Sequence, residues 1–323
     1  MAAILHMWSQ VESEEMNITM FHDLDTGFLA ATLKPAFEAL GHTCTVVQTL
    51  TTYLEGDAPH VDHLMSTMSN DEIGTLKEIF KDTDLFIVRS VTDLALKHSN
   101  ILQYLTPDNT IYKVHGSEMR EKNVPYSLKT WRINWHNKEP VICGPRDPSL
   151  FSIYRGNIIT HIERPCAFDT FPRRRRDNKQ PFALTSPTNI ERKGTQYLLD
   201  NWKSNIPLQV IHGVSRQEAL TYKSRASYYI DNIGQYKHGP YGMNSVEAWY
   251  YKIPVFSNYN PMDEVVCPEL EDLVYYATEQ SVQEIITCYS YQDKKRLNNA
   301  HKYALHTHDP VRIAKQYTKV IEQ

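Results

Sequence analysis

Residues 238–256 read His-Gly-Pro-Tyr-Gly-Met-Asn-Ser-Val-Glu-Ala-Trp-Tyr-Tyr-Lys-Ile-Pro-Val-Phe, and this stretch decides the fold prediction. Gly239 and Gly242 allow the left-handed backbone conformations that a tight turn needs, and Pro240 between them favours the turn. Residues 253–256, Ile-Pro-Val-Phe, have the short apolar pattern of a buried strand. A turn, a helix and a buried strand in this order are typical of an α/β domain.

The helix predicted after this turn is a candidate anion-binding site. Asn244 and Ser245 are typical of a helix start, so the free amides around Met243–Val246 would point into the turn. A helix N-terminus carries about half a positive charge and binds phosphate readily. We expect Glu247 in the first turn, where its carboxylate could reach a ligand hydroxyl. An ordinary surface turn with a capped helix is the alternative interpretation of the same residues.

The spacing Gly239-x-Tyr-Gly242-x4-Glu247-Ala, followed by Pro-Val and an apolar residue, resembles the donor-binding segment of retaining GT-B glycosyltransferases similar to family 4. The resemblance implies that Glu247 binds the ribose of a nucleotide-diphosphate sugar and that the amides preceding it, up to Ser245, bind the diphosphate. It implies an α/β fold with GT-B architecture, in which two Rossmann-like domains face each other across a donor-binding cleft. Many members carry another Glu eight residues before Glu247, where this chain has Gly239.

Length and composition are those of a globular protein with two domains. The chain has 323 residues, 41% hydrophobic and 22% charged, and a net charge of −4, so no overall positive field favours nucleic acid or membrane. Five scattered cysteines without a Cys-x-x-Cys pair favour reduced thiols over disulfides or a zinc site. Residues 1–8 are too short an apolar run for a signal peptide, and no longer apolar run could span a membrane. We therefore expect a cytoplasmic protein without stable membrane insertion.

The start of the chain predicts a strand–helix–strand unit and hence a parallel sheet. Residues 17–22 and 43–48 read as strands, and apolar residues at helical spacing fill the segment from Phe28 to Leu40. Gly41 has the position of a helix-ending glycine. The resemblance implies that the first turn, which contains Gly27, approaches the donor phosphates and the acceptor. A dinucleotide site is the alternative, but the Gly-x-Gly-x-x-Gly pattern is absent.

A second candidate site segment follows a strand predicted at residues 110–114. The sequence His115-Gly-Ser-Glu-Met-Arg begins at the carboxyl end of that strand, where doubly wound folds bind ligands. It resembles a motif of the same glycosyltransferases in which the His reaches the donor sugar, so His115 is a candidate catalytic residue. A polar loop with an exposed His115 is the alternative.

The predicted domains are residues 1–168, an acceptor-side domain, and residues 182–308, a nucleotide-sugar-binding domain. Residues 309–323 would form a helix that packs back on the first domain. The linker, residues 169–181, is Pro-bounded and charged and lacks apolar periodicity. It contains a dense basic cluster: Arg173, Arg174, Arg175 and Arg176. A solvated linker or a strap that contacts anions or nucleic acid would both have this composition.

The second domain opens with a predicted strand at residues 182–186, a polar loop with Lys193-Gly-Thr, and a helix at residues 196–202. This arrangement resembles the other half of the glycosyltransferase donor site, where the Lys neutralises the diphosphate. A fixed ammonium stabilises the negative charge that develops on a leaving nucleoside diphosphate. The Arg that precedes this Lys in the family corresponds to Ile190, and Arg192 is the candidate replacement. A chance Lys-Gly pair in a loop is the alternative.

Asp231 directly follows a strand predicted at residues 227–230 and precedes the central turn. It is a candidate catalytic carboxylate in the cleft, and a structural cap of the loop is the alternative. After the central stretch the pattern predicts a strand near residues 273–276 and a helix over residues 281–301. His306 and His308, two residues apart in a Pro-bounded turn, form only a weak metal motif.

Together these features predict an enzyme of the hexosyl- or glycosyltransferase class that moves a sugar from a nucleotide-diphosphate sugar to a hydroxyl acceptor. The resemblance implies retention at the anomeric carbon. It also implies that no metal cofactor is required, since Lys193 and the helix amides take the cation's place. A carboxylate pair of the glycosidase type is not evident. Two alternatives remain, a sugar-nucleotide epimerase of the same architecture and a binding module without turnover.

The acceptor has two competing hypotheses. The first is a cell-surface glycan or a lipid-linked sugar, although the chain start lacks a basic amphipathic helix for a membrane surface. The second, which we favour, is a hydroxymethylated base in DNA, as in phage enzymes that glycosylate such bases. Net negative charge opposes it, and an internal base would have to be flipped out. Besides Arg173–Arg176, it rests on basic and aromatic residues of the first domain: Trp131, Trp135, His136, Lys138 and Arg146.

Overall fold

Two parallel sheets with helices packed against them make up the described part of the chain. In the computed structural model the described residues are 14–22, 28–49, 60–89, 103–106, 108–113, 141–144, 159–175, 180–187, 190–191, 193–234, 241–259, 264–265, 267–289 and 293–321. The described helices are α1 (Leu29–Ala39), α2 (Asn70–Lys81), α3 (Thr195–Asn201), α4 (Arg216–Arg225), α5 (Met243–Tyr250), α6 (Leu270–Leu273), α7 (Val282–Cys288), α8 (Lys294–Thr307) and α9 (Pro310–Ile321). None of them is both long and apolar enough to cross a membrane.

The first sheet has the strand order β3-β2-β1-β4-β5-β6-β7, and its described neighbours are all parallel. The strands are β1 (Asn17–His22), β2 (Thr43–Gln48), β3 (His63–Leu64), β4 (Leu85–Arg89), β5 (Thr110–Lys113), β6 (Val141–Gly144) and β7 (Ile159–His161). Every residue of β1 after Asn17 is buried. Such a continuous buried run is typical of a parallel strand that is covered on both faces.

The predicted strand–helix–strand unit at the start of the chain is confirmed. Strands β1 and β2 have the predicted bounds, and they pair over their whole length, from Asn17 opposite Thr43 to His22 opposite Gln48. Helix α1 ends before Gly41, whose φ of +88° is the left-handed value that favours glycine at this position. The unit places the carboxyl end of β1 and the start of α1 at one edge of the first sheet.

The last helix, α9, packs against α1 in the first domain. The ring centroids of Phe37 on α1 and Tyr317 on α9 lie 6.4 Å apart in an edge-to-face arrangement. Ile313, Ala314 and Tyr317 are buried in the same apolar cluster as the inner faces of β1 and α1. The chain therefore crosses from the first domain to the second and returns to the first at its end.

The second sheet has the strand order β12-β11-β10-β8-β9, again with parallel neighbours. Its strands are β8 (Ala183–Thr185), β9 (Leu208–Val210), β10 (Tyr228–Ile230), β11 (Val255–Ser257) and β12 (Tyr275–Tyr276). The central strand β10 lies between β8 and β11, with Tyr229 opposite both Leu184 and Val255. Asp231 follows directly at its carboxyl end, the edge at which open α/β sheets bind ligands.

The single helix predicted over residues 281–301 is wrong, since the structure has two helices there, α7 and α8. The Tyr289 side chain after α7 packs against Phe256 and Tyr275, with ring centroids 5.8 Å and 5.1 Å away. Asp293 then caps α8, because its carboxylate accepts an amide hydrogen bond of 3.0 Å from the first turn. The packing of this half-buried tyrosine ring and a new N-cap together interrupt a helical pattern that is continuous in the sequence.

Candidate functional site

The helix after the central turn starts at Met243, with Gly242 in an extended conformation at its N-cap. Asn244 and Ser245 lie in its first turn, as expected of residues typical of a helix start, and Gly242 has no side chain with which to cap the helix. Asp231 has this role instead. Its Oδ2 accepts hydrogen bonds from the Gly242 amide at 3.1 Å and from the Ser245 hydroxyl at 2.6 Å.

Lys193 completes this group of residues, which we call the Asp231 cluster: Lys193, Asp231, Gly242 and Ser245. The Lys193 Nζ donates a 2.9 Å hydrogen bond to Asp231 Oδ1. A Cβ added at Gly242 would lie 3.1 Å from Asp231 Oδ2 and 3.7 Å from Lys193 Nζ. A residue with a side chain at this position would therefore crowd the carboxylate. Lys193 and Gly242, which lie 38 and 11 residues from Asp231 in the sequence, thus belong to one polar site.

The electrostatics of the Asp231 cluster keep the carboxylate ionised. Burial would raise the pKa of Asp231, but the Lys193 ammonium and the three hydrogen bonds outweigh it and hold the pKa below its ordinary value. An ammonium has three N–H donors, and the described side-chain contact of Lys193 uses one of them. The side chain of Lys193 is 18% exposed, so its remaining donors can bind an anion.

A second polar group, which we call the Glu247 cluster, comprises Arg216, Lys223, Asn244 and Glu247. The Arg216 Nε donates to Glu247 Oε1 at 3.1 Å, and Lys223 Nζ donates to Glu247 Oε2. Lys223 also donates to Asn244 Oδ1 at 2.6 Å. Glu247 was predicted in the first turn of α5 but lies in the second turn. Its charge is therefore balanced by Arg216 and Lys223 and not by the helix dipole.

Glu247 is 5% exposed and remains able to accept further hydrogen bonds. Burial would raise the pKa of its carboxyl, but Lys223 and then Arg216 outweigh that effect and keep the pKa below its ordinary value. A carboxylate has about four lone-pair sites, of which the Arg216 and Lys223 contacts use two. A pair of neighbouring hydroxyls, such as a ribose diol, matches the capacity that is left.

The other predicted donor-site residues on α5 face elsewhere. Asn244 Nδ2 donates to the carbonyl of Ser186 at 3.0 Å, which ties the helix start to the end of β8. The Met243 side chain packs against the apolar core of the second domain. Of the predicted diphosphate ligands on this helix start, Gly242 and Ser245 therefore face the Asp231 cluster, and Asn244 faces the Glu247 cluster.

The hydroxyl of the turn residue Tyr241 is hydrogen-bonded to a buried histidine, His308, which was not predicted to lie at this site. His308 Nδ1 lies 2.6 Å from the carbonyl of Arg164, which can only accept, so Nδ1 carries the proton and Nε2 is an acceptor. The Tyr241 hydroxyl, 3.2 Å from Nε2, therefore donates to it and accepts from the Tyr303 hydroxyl at 3.0 Å. Burial lowers the pKa of His308 to about 4.

The basic linker lies along the second domain next to α4. The Arg174 side chain is half-buried and its Nη2 donates to the carbonyl of Ala226 at 3.4 Å. The amide of Arg175 donates to the carbonyl of Ser224 at 2.9 Å. Arg173 and Arg175 are exposed. Part of the predicted basic strap thus holds the linker on the domain, and part of it faces solvent.

Several predicted site residues lie outside the described residues: Gly27, His115, Arg192, Arg176 and Gly239, and with them the first-domain residues Trp131, Trp135, His136, Lys138 and Arg146. Among the residues that the structure does describe, no three His, Cys, Asp or Glu side chains are grouped as a metal site would require. The described part of the site is therefore built from two carboxylates, three cations and the start of α5.

Neither a protein-family model nor a curated protein matches the sequence, but solved structures match the fold. Alr3699/HepE from Anabaena in complex with UDP-glucose has a TM-score of 0.63 at 12% identity, over 94% of this chain and 99% of that chain. Its complex with UDP and glucose has a TM-score of 0.58 at 13% identity, over 96% and 100%. A UDP-N-acetylglucosamine 2-epimerase has a TM-score of 0.55 at 12% identity, over 96% of each chain.

Identities this low establish the fold alone. The two parallel-sheet α/β domains and their arrangement are those of the GT-B architecture, so the fold predicted from the sequence is confirmed. The same architecture carries a protein that binds UDP-glucose and an epimerase, so the chemistry has to be argued from the site.

Proposed function

We propose that this protein is a glycosyltransferase that binds a nucleotide-diphosphate sugar at the Asp231 and Glu247 clusters and transfers the sugar to a hydroxyl. The observation that carries the proposal is the convergence of three donors on one point. The Lys193 ammonium, the Gly242 amide and the Ser245 hydroxyl all lie within 3.1 Å of one carboxylate, at the carboxyl edge of the second sheet. The Gly242 amide and the Ser245 hydroxyl each have one hydrogen, so a diphosphate would bind them by replacing Asp231 as their acceptor, and it supplies the charge and the acceptor oxygens that such donors bind.

Each predicted residue has a role in this proposal. Lys193, with Arg192 beside it, stabilises the charge on the departing nucleoside diphosphate, and Asp231 orients the Lys193 ammonium. Glu247 binds the ribose hydroxyls. His115 and Gly27 lie outside the described residues, and their roles, contact with the donor sugar and approach to the donor phosphates, are proposed from the resemblance alone.

The proposal includes retention at the anomeric carbon, the outcome in the family-4-like enzymes that the central stretch resembles. The departing phosphate would accept the proton of the acceptor hydroxyl, and no metal would be required, since Lys193 and the α5 amides stabilise the charge. UDP is our first choice of nucleotide, because HepE, with the same architecture, is described with UDP and with UDP-glucose. The cytoplasmic location expected from the scattered cysteines belongs to the same proposal.

For the acceptor we retain a hydroxymethylated base in DNA, with a glycan or lipid-linked sugar as the competing choice. The exposed Arg173 and Arg175 support DNA, since they follow Phe171, whose ring centre lies 5.4 Å from the Arg216 guanidinium of the Glu247 cluster. A DNA backbone that followed this strap would pass close to the donor site.

An epimerase that changes the nucleotide sugar without an acceptor is the second candidate. The similarity to a UDP-N-acetylglucosamine 2-epimerase over 96% of each chain favours it. The two candidates differ in their products. A transferase releases a nucleoside diphosphate, whereas an epimerase returns a nucleotide sugar of altered configuration.

The test is release of nucleoside diphosphate from UDP-glucose, UDP-GlcNAc, GDP-mannose and ADP-glucose, each with and without duplex DNA that contains hydroxymethylcytosine. We expect release from a UDP-sugar, and DNA-dependent release would establish the DNA acceptor. Lys193→Ala should lower turnover at least about 100-fold, as loss of an electrostatic donor does elsewhere, whereas Lys302→Ala, an exposed lysine on α8, should not. Release that survives in Lys193→Ala would contradict the site assignment, and an altered sugar without release would establish the epimerase.

A further inference from the structure

Arg216, the first residue of α4, lies where three parts of the chain meet. Within the second domain its Nε donates to Glu247 Oε1 at 3.1 Å. Its Nη2 lies 3.8 Å from the sulfur of Cys166, in the segment that leaves the first domain. Only 18% of the Arg216 side chain is exposed, so this charged group is used almost entirely for contacts within the protein.

The Arg216 guanidinium also contacts the first domain directly. Its Cζ lies 4.8 Å from the ring centre of Phe28, the residue before α1, and 5.4 Å from the ring centre of Phe171 in the linker. A planar guanidinium stacks on aromatic faces in a way that a lysine ammonium cannot. The Phe28–Arg216 contact joins a residue of the first domain to a residue that holds Glu247.

Phe28 has an unusual backbone conformation. Its φ of +53° and ψ of +32° lie in the left-handed region, which a bulky residue other than glycine rarely adopts. Such strain persists only where surrounding contacts hold it, and it is concentrated at functional sites. The ring contact with Arg216 is one of the contacts that hold Phe28 in place.

The two cations of the Glu247 cluster differ in what else they touch. Lys223 is buried within the second domain, where it also contacts Asn244 and lies 5.5 Å from the ring centre of Tyr229. Arg216 alone of these two reaches across to Phe28. A shift of the first domain would therefore move Arg216 and change the support of Glu247 Oε1, while the Lys223 contact with Oε2 stayed as it is.

From this geometry we propose that Arg216 is a positioning residue that couples the ribose-binding carboxylate of Glu247 to the place of Phe28 in the first domain. The role of Glu247 in this statement rests on the proposed function. The coupling makes nucleotide binding in the second domain depend on a ring that belongs to the first.

Titration calorimetry with UDP tests the coupling in a double-mutant cycle of Phe28→Leu and Arg216→Lys. Each change should weaken UDP binding about fivefold, and the double variant should bind no more weakly than Arg216→Lys alone, because both remove one shared contact. Phe28→Tyr keeps the aromatic face and should bind like the wild type. Arg225→Lys, an exposed position on the same helix, is the matched control and should also be unchanged.

The outcomes separate this inference from the proposed function. Normal UDP binding by Phe28→Leu, or additive losses in the double variant, would overturn the coupling and leave the donor site intact. Failure of the wild type to bind UDP would overturn both. If Arg216→Lys does not fold, the difference in UDP affinity between Phe28→Leu and Phe28→Tyr still tests the coupling. A change in melting temperature alone does not alter the affinity of the folded protein.

Discussion

Asp231 accepts hydrogen bonds from the same three groups that we propose as ligands of a diphosphate. Its negative charge lies at the N-terminus of α5, where an anion is stabilised. A bound phosphate would therefore meet a fixed like charge nearby. The carboxylate orients Lys193 and at the same time opposes the anion that Lys193 binds, which would assist release of the nucleotide product.

Asp231→Asn should tighten UDP binding about tenfold. A unit charge about 8 Å away contributes about 2 kcal/mol at an effective dielectric constant of about 20, and removal of that charge relieves the repulsion. The amide oxygen of Asn can still accept hydrogen bonds from the helix start. Calorimetry with UDP measures the change, with Asp200→Asn, at an exposed position on α3, as the control. Weaker binding would mean that orientation of Lys193 outweighs the repulsion.

His308 should make stability depend on pH in mildly acidic solution. Its pKa is about 4 in the folded protein and about 6.5 in an unfolded chain, so between these values the unfolded chain binds a proton that the folded protein excludes. The contribution of the neutral His308 to the free energy of unfolding is fully present above about pH 6.5 and decreases as the pH falls towards 4. The decrease from pH 7 to pH 5 is about 2 kcal/mol.

The His308→Gln variant isolates this contribution. Denaturant unfolding at pH 7 and pH 5 should show a smaller loss of stability on acidification in the variant than in the wild type, although the variant is less stable at pH 7. His301, whose pKa is also lowered by partial burial, contributes equally to both proteins. Equal pH dependence in the two proteins would show that His308 is not held neutral by burial.

Single residues differ in how far the sequence reveals them. Lys193, Gly242 and Glu247 could be selected because each lies in a local pattern of turn, strand end or helix start. Arg216 and Lys223 lie on α4, but a basic residue on a helix is usually solvated, and nothing local indicates a carboxylate partner 31 or 24 residues away. Such contacts arise from packing of α4 on α5, which the sequence does not specify.

At the scale of elements, we expect the packing of α9 against α1 to make a large contribution to the stability of the first domain. Tyr317 is fully buried, and its ring packs edge-to-face on Phe37 of α1. Tyr317→Ala should destabilise the protein by about 3 kcal/mol, as large-to-small changes of buried aromatic residues do. Leu305→Ala on α8, at a site that is 40% exposed, should cost less than about 0.5 kcal/mol.

Thermal unfolding followed by circular dichroism compares the two variants. We expect a clear decrease in melting temperature for Tyr317→Ala and almost none for Leu305→Ala. Equal melting temperatures would mean that α9 is not integrated into the core of the first domain. Because the protein has two domains, a separate low-temperature transition would identify the first domain as the part that is destabilised.

The elements that could be predicted are those with one strong pattern. Strand β1 is buried after its first residue and β2 is mostly buried, the helix between them ends before Gly41, and the bounds of both strands were predicted correctly. The break between α7 and α8 could not be predicted, because it depends on contacts of Tyr289 with Phe256 on β11 and Tyr275 on β12, which are distant in sequence. The apolar residues keep helical spacing through this part of the sequence, whereas the tertiary contacts of Tyr289 end α7.

At the scale of the whole molecule, the two chain crossings between the domains are hydrogen-bonded to each other. The Cys166 amide on the outward crossing donates to the carbonyl of His308 on the return crossing at 2.9 Å. His308 Nδ1 donates back to Arg164, and its Nε2 accepts from Tyr241 in the central turn. The region where the domains join is thus connected to the proposed donor site at Tyr241 and, through Arg216, at Glu247.

A crystal structure of the protein soaked with UDP is the measurement that tests the donor site most directly. We predict that the diphosphate lies against Lys193 and the amide and hydroxyl groups at the start of α5, and that the ribose hydroxyls lie within hydrogen-bonding distance of Glu247. UDP bound away from both carboxylate clusters, or no bound UDP at millimolar concentration, would contradict the account.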